Sequence, residues 1–84
     1  MDKDAKVIKT IITRLFSDRT IGGKHTAFEN LVKGFPKHLR GEAKEIAEKL
    51  MRKGLITPKP TSYGMQVSLN PYRMTEIEEI IKDP

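Results

Sequence analysis

Gly54 separates two kinds of apolar pattern in the chain. Before it, apolar residues recur at the three- and four-residue spacing of helices that bury one face. After it, residues 65–69 alternate apolar and polar side chains, which is typical of a half-buried strand. This change of period predicts an α+β fold, mainly α, in which a hairpin follows most of the helices.

Two helices separated by a turn are predicted in the first part of the chain. Residues 3–17 repeat apolar side chains at helical spacing. Residues 26–33 are predicted to be the second helix, because Thr26 and Glu29 have the spacing of a capping box. In that motif, each side chain accepts a hydrogen bond from the other residue's backbone amide. Gly34 fits the C-cap position that ends this short helix.

Residues 38–53 are predicted to be a third helix, which Gly54 ends. Two pairs four residues apart, acid first, support it: Glu45 with Lys49 and Glu48 with Arg52. Residues 55–69 are predicted to form a hairpin with a loop of about six residues. Pro58 and Pro60 place its first strand at an edge of the sheet, because proline has no amide to donate.

A last helix is predicted over residues 72–82. Asn70 suits its N-cap and Pro71 its first position. Thr75 and Glu78 offer a capping box of their own a few residues later, so the pattern leaves the start of this helix open.

Length and composition limit the kind of protein that this chain can be. Its 84 residues have room for one core, so residues 1–84 are predicted to be a single domain. The absence of cysteine excludes disulfides, thiolate zinc sites and a cysteine nucleophile. No apolar run approaches the roughly 18 residues of a membrane span, and the first residues lack the apolar stretch of a signal peptide. We therefore expect a cytoplasmic protein without a membrane partner.

Positive charge is concentrated in residues 19–63, which we call the basic segment. This segment holds ten Lys or Arg residues and four Glu, whereas the two ends together hold six basic and seven acidic residues. The formal net charge of +5 therefore comes from the middle of the chain. Such an excess favours an anionic partner, although a lysine-rich surface that only maintains solubility has the same composition.

Residues 21–26 read IGGKHT, which raises the question of a nucleotide-binding loop. A loop of that type needs Gly, four residues and then Gly-Lys-Ser/Thr after a buried strand. Position 18 is Asp18 instead of glycine, and His25 instead of Ser or Thr follows Lys24. We therefore assign the two glycines to the turn between the first two helices.

The acidic residues and histidines do not form a pattern typical of catalysis or metal binding. The two histidines, His25 and His38, lie 13 residues apart without acidic partners at ligand spacing. The carboxylates fall at helix starts, in salt-bridging pairs or along the last helix, where solvated helix faces account for them. We therefore predict a protein that is not an enzyme and that binds no metal, cofactor or small molecule.

The order of the elements and one local sequence resemble a known family. Residues 50–56 read LMRKGLI, and the predicted hairpin follows. Winged helix-turn-helix domains usually end the helix after the turn in a Leu-x-x-x-Gly-Leu-Ile run and place the wing next. The resemblance covers roughly residues 5–70, and residues 22–71, with KGFPKHLRG and YGMQVSLNP, also look like small uncharacterised archaeal proteins. It implies three helices and a two-stranded hairpin wing, to which this chain adds a C-terminal helix.

The resemblance also implies a partner and the residues that contact it. In this family the third helix enters the major groove of duplex DNA and the wing contacts the backbone or the minor groove. That implies a role in transcription regulation or in chromatin. The start of the second helix commonly faces the DNA backbone. The candidate nucleic-acid-binding residues are Lys24, His25, Thr26, Lys37, His38, Arg40, Lys44, Lys59 and Tyr63.

Other functions remain open at this point. Glu45 and Glu48 fall on the outward side of the third helix, where they would repel phosphate, so contact is expected at its N-terminal end only. A protein-interaction or homodimerisation module without DNA affinity is the main alternative, with an interface built from the two terminal helices. RNA binding is less favoured because the chain has only five aromatic residues. Tyr63 either contacts nucleic acid or packs back on its strand.

Overall fold

The computed structural model describes residues 3–83 and confirms the α+β class, mainly helical, with an antiparallel sheet. The helices are α1 (Lys3–Ser17), α2 (Phe28–Lys33), α3 (Arg40–Arg52) and α4 (Met74–Lys82). The strands are β1 (Thr26–Ala27), β2 (Ile56–Thr61) and β3 (Gly64–Leu69). Short 3₁₀ turns over Lys37–Leu39 and Pro71–Arg73 precede α3 and α4.

The sheet has the order β1-β3-β2, with β3 in the centre. On one side, β2 pairs with β3 from Ile56 opposite Leu69 to Thr61 opposite Gly64. On the other side, Thr26 of β1 lies opposite Val67. The edge position that the prolines predict for β2 is therefore confirmed, whereas strand β1 was not predicted.

The predicted capping box at Thr26 is wrong, and the second helix begins two residues later than expected. Ala27 is the N-cap of α2 and no side chain caps it. Thr26 is instead part of β1, where its backbone is extended and pairs with β3. The spacing of Thr26 and Glu29 favours a helix cap locally. Pairing of Thr26 with β3, about forty residues further along the chain, determines its conformation instead.

Helices α1 and α3 end in the same way. Arg19 after α1 and Gly54 after α3 both have a positive φ, 57° and 81°. In each case the following amide reaches back five residues to a helix carbonyl, as in a Schellman motif. The bonds are Thr20 N to Leu15 O at 2.9 Å and Leu55 N to Leu50 O at 3.0 Å. The stop predicted at Gly54 is confirmed, and it turns the chain from α3 into β2.

The hairpin projects from the body of the protein. All side chains of residues 57–65, which we call the arm, are exposed. The prediction of a loop of about six residues is wrong, because Thr61 already pairs with Gly64 and leaves a two-residue turn. The Thr61 hydroxyl closes this turn: it donates to Gly64 O at 2.7 Å and accepts from Tyr63 N at 3.2 Å.

One core joins the helices to the sheet. The apolar stripe predicted on α1 is buried, and it packs with α3, α4 and β3. The buried apolar residues are Val7, Ile11, Ile12, Leu15, Leu31, Phe35, Ala43, Ile46, Ala47, Leu50, Leu55, Ile56, Val67, Leu69 and Ile77. Within residues 3–83, no helix has the length and apolar character needed to cross a membrane.

The last helix begins after a 3₁₀ turn. Asn70 caps that turn by accepting from Tyr72 N at 3.0 Å, and Pro71 occupies its first position as predicted. The α-helix itself starts at Met74, so that Thr75 lies inside it and is not its N-cap. The Asn70 side chain also donates to Gly54 O at 2.8 Å, which ties the end of β3 to the end of α3.

Candidate nucleic-acid interface

Among the residues that the structure describes, the cations of the basic segment are not paired with carboxylates. Two ion pairs occur within residues 3–83, Lys3 with Glu42 at 2.9 Å and Arg73 with Glu76. Both cations lie outside the basic segment, so none of its Lys or Arg side chains has a carboxylate of the described residues within 4.0 Å. Lys3 moreover neutralises one of the segment's own glutamates. The positive potential of the segment is therefore larger than its net charge indicates.

A shallow groove of about 400 Å³ lies between α2 and α3. Its apolar floor and charged rim come from Phe28, Glu29, Val32, Lys33, Arg40 and Lys44. Lys44, one of the candidate nucleic-acid-binding residues, is exposed on this rim. Two lysines, Lys33 and Lys44, against one carboxylate, Glu29, make the groove a favourable surface for a phosphate.

Arg40 serves the fold at this groove. Its Nε donates to Phe35 O at 3.0 Å, and its Nη2 donates to Lys33 O at 3.2 Å. These carbonyls lie at the end of α2, where the helix supplies no amide to bond them. Arg40 is therefore a positioning residue that joins α2 to α3, which its sequence position alone does not indicate.

The start of α3 presents further predicted residues to solvent. Lys37 and His38 are exposed on the 3₁₀ turn that leads into the helix. Neither has a side-chain hydrogen bond or an ion pair in the described part of the chain. Their side chains are therefore available to an external anion beside Lys44.

The outward ridge of α3 is less favourable to DNA. Glu45 and Glu48 are exposed, opposite the side on which Ala43 and Leu50 are buried. The predicted pairs of Glu45 with Lys49 and of Glu48 with Arg52 are wrong, since neither forms an ion pair within 4.0 Å in residues 3–83. Without a cation of residues 3–83 within 4.0 Å, the two carboxylates would repel a phosphate that approached this ridge.

The arm carries Lys59 and Tyr63, both exposed. Tyr63 is 95% exposed, so it does not pack back on its strand. Because Thr61 holds the turn through two hydrogen bonds, the tyrosine is presented by an ordered tip. Of the two interpretations of Tyr63 that the sequence leaves open, the geometry is compatible with contact to a partner.

The structure does not bring Lys24 and His25 to the arm. Strands β1 and β3 are antiparallel, and Thr26 lies opposite Val67. The residues before Thr26 therefore lie towards Leu69, at the end of β3 farthest from the hairpin turn. A strand of this length separates its two ends by about 17 Å. His25 and Thr26 are also only half-exposed, whereas Lys24 is exposed.

The α2–α3 groove lies on the arm side of β1. Phe28, which lines the groove, follows Ala27, and Ala27 lies opposite Gln66 beside the arm. The predicted residues therefore do not form one group. Lys44 lines the groove with Phe28, Lys59 and Tyr63 lie on the arm, and Lys24 and His25 lie at the far end of the sheet.

Within residues 3–83 there is no group of three or more His, Asp or Glu residues that could hold a metal ion. Comparisons with models of protein families, with curated proteins and with solved structures found no match to this chain. The function is therefore inferred from the charge and geometry of the surface itself.

Proposed function

We propose that the protein is a nucleic-acid-binding module, and that its partner is duplex DNA in transcription regulation or chromatin. The observation that carries this proposal is the set of unpaired cations in the basic segment, while Lys3 neutralises Glu42. Exposed cations concentrated in one segment and left without carboxylate partners in residues 3–83 support phosphate binding.

We further propose that the fold is a winged helix-turn-helix. Two helices joined by a tight turn, α2 and α3, are followed directly by the β2–β3 hairpin. Gly54 ends α3 within the LMRKGLI sequence that carries the resemblance. In this interpretation α3 is the recognition-type helix and the arm is the wing.

Binding would proceed mainly through phosphates. Lys37, His38 and Lys44 would meet the backbone at the start of α3, and Lys59 and Tyr63 would meet it from the arm. The unneutralised carboxylates on the outward ridge of α3 oppose deep insertion into the major groove. We therefore propose weak sequence preference and strong dependence on salt, with no catalytic step and no cofactor, for a protein of the cytoplasm.

An amide-shift titration with a short duplex of arbitrary sequence, repeated at several salt concentrations, tests this function. Shifts are expected in residues 28–44 and 57–65, with a log–log salt slope of about one per phosphate neutralised. Lys44→Ala with Lys59→Ala should reduce both affinity and slope, while Lys6→Ala, on the exposed face of α1, is the matched control. Absence of shifts at low salt would exclude the proposal.

The alternative is a protein-interaction or homodimerisation module. Within residues 3–83 the large apolar side chains that are exposed are Tyr63, Met65 and Tyr72, and none of them lies on α1 or α4. This distribution does not favour an interface on the terminal helices. It favours a protein partner at the arm, where Tyr63 and Met65 lie close in sequence. Sedimentation of the free protein, together with the same titration, separates this alternative from DNA binding.

A further inference from the structure

Arg14 is a cation of α1 that has no ion pair within residues 3–83. It is only half-exposed, although arginine side chains are mostly exposed in folded proteins. Its guanidinium carbon lies 5.4 Å from the centre of the Phe35 ring, within the distance of a cation–π interaction. The side chain therefore reaches from α1 to the turn between α2 and α3, and the function proposed above gives it no role.

The guanidinium of Arg14 also passes over Gly34, the residue before Phe35. A β-carbon built on Gly34 would overlap Nη1 of Arg14 and lie 3.0 Å from its Cζ. The next nearest atom, Leu31 O at 3.4 Å, is at an ordinary contact distance. Among the described residues, Arg14 therefore occupies the space that a side chain at position 34 would need.

The backbone does not require glycine at position 34. Gly34 is the C-cap of α2 with φ −67° and ψ −10°, in the right-handed region that every residue adopts. Gly54 differs, because its φ of 81° itself favours glycine. At an exposed position in the right-handed region, alanine is normally more stabilising than glycine, since glycine loses more conformational freedom on folding. The guanidinium above Gly34 accounts for the glycine, whereas its φ does not.

Phe35 is contacted by a guanidinium from each side. Arg14 of α1 covers its ring, and Arg40 of α3 donates to its carbonyl oxygen at 3.0 Å. The Phe35 ring is itself part of the core and is 6% exposed. The helix before α2 and the helix after it are therefore both joined to the same residue of the turn.

We propose that Arg14 is a positioning residue for the turn between α2 and α3, and that position 34 is glycine because it must admit the Arg14 guanidinium. This guanidinium is the free end of a flexible side chain, so a side chain at position 34 would push it aside and leave the backbone in place. The contact with Phe35 would then be lost while the helices remain folded. Substitutions at Arg14 and Gly34 should therefore not be additive.

A double-mutant cycle on thermal unfolding tests this coupling. The full-length wild-type protein, Gly34→Ala, Arg14→Ala and the double variant are unfolded under the same conditions, and each midpoint is recorded. Gly41→Ala, made in the wild-type and in the Arg14→Ala protein, is the matched control. Gly41 is an exposed glycine of α3, and a β-carbon added to it meets no atom within 4 Å. Both substitutions add one methyl group to a glycine with a right-handed backbone.

The two glycines should respond differently to the presence of Arg14. Gly41→Ala should raise the midpoint by about 4 °C with or without Arg14, because alanine replaces glycine within a helix. Gly34→Ala should raise it by about 3 °C when Arg14 is absent. When Arg14 is present, loss of the contact with Phe35 offsets this gain, and the midpoint should not rise. Equal shifts for Gly34→Ala in the two proteins, in either direction, would overturn the proposal.

A second measurement separates positioning by Arg14 from direct contact with DNA, and it rests on the proposed function. The affinity of Arg14→Ala for a short duplex is measured by fluorescence anisotropy at several salt concentrations. Its log–log slope should equal that of the wild-type protein, because the guanidinium lies on the Phe35 ring. A slope lower by about one would place Arg14 on a phosphate and overturn its positioning role. Absence of wild-type binding at low salt would refute the proposed function alone, since the thermal cycle requires no DNA.

Discussion

The guanidinium of Arg40 donates from Nε to the carbonyl oxygen of Phe35 at 3.0 Å. With its second bond, to Lys33 O, this side chain joins the end of α2 to the first turn of α3. The angle between the two helices of the proposed helix-turn-helix therefore depends on Arg40. The positive charge of this residue alone would predict a role in binding DNA instead. Structural and functional roles of cations can be separated here by experiment.

Arg40→Ala is expected to destabilise the protein. Loss of two charge-assisted hydrogen bonds at a partly exposed site should lower the free energy of unfolding by about 1–2 kcal/mol, measured by urea denaturation. The salt slope of DNA binding should change little. Lys44→Ala should do the opposite, with unchanged stability and a slope lower by about one. If Arg40→Ala lowers the slope and leaves stability intact, the positioning role is refuted.

Glu48→Gln is expected to strengthen binding to duplex DNA. The carboxylate is exposed and unneutralised on the outward ridge of α3, so its removal reduces repulsion of phosphates that approach the helix. We expect a gain of about threefold at low salt that disappears at high salt, measured by anisotropy. Glu78→Gln, an exposed carboxylate on α4, is the matched control and should have no effect.

Arg19→Gly is expected to stabilise the protein. Arg19 has φ 57°, in the left-handed region where a side chain crowds the backbone and glycine does not. The free energy of unfolding should rise by about 0.5–1 kcal/mol in urea denaturation. Arg19→Ala removes the same charge but keeps the crowding, so it should give no such gain. Equal effects of the two substitutions would assign the change to charge instead of conformation.

Ser68→Ala is expected to preserve or increase stability. Ser68 is only 1% exposed on β3, and its hydroxyl has no hydrogen-bond partner among the described protein atoms. Removing a buried, unpaired hydroxyl should raise the free energy of unfolding by about 1 kcal/mol. Ser62→Ala, at the exposed hairpin turn, serves as the control with no expected change. A marked loss of stability in Ser68→Ala would show that the hydroxyl is needed.

The features that follow from local sequence could be predicted, and those that depend on distant pairing could not. The apolar stripe of α1 and the stop at Gly54 are properties of a few neighbouring residues, and both are confirmed. Strand β1 exists only because β3 offers it a partner, so Thr26 was misassigned to a helix cap. The two-residue turn depends on the Thr61 hydroxyl, which no alternating pattern reveals.

The candidate site was predicted as a set of residues but not as an arrangement. The surplus of cations in the middle of the chain is visible in the sequence. The position of Lys24 and His25 at the far end of the sheet follows from the register of β1 against β3, which the sequence pattern does not contain. The sequence pattern predicts Tyr72 within a helix, whereas it lies in the 3₁₀ turn that Asn70 caps and is 92% exposed.

The two prolines of β2 also decide what the arm does not bind. Pro58 lies opposite Val67 and Pro60 opposite Met65, and a proline nitrogen cannot donate at either pair. Both must therefore occupy positions whose backbone groups face outward. The free edge of the arm lacks the amides that would template an incoming strand. The protein can therefore be present at high concentration, or be packed densely along a polymer, with its arm exposed. The arm then neither nucleates fibrils nor exchanges strands with neighbouring molecules.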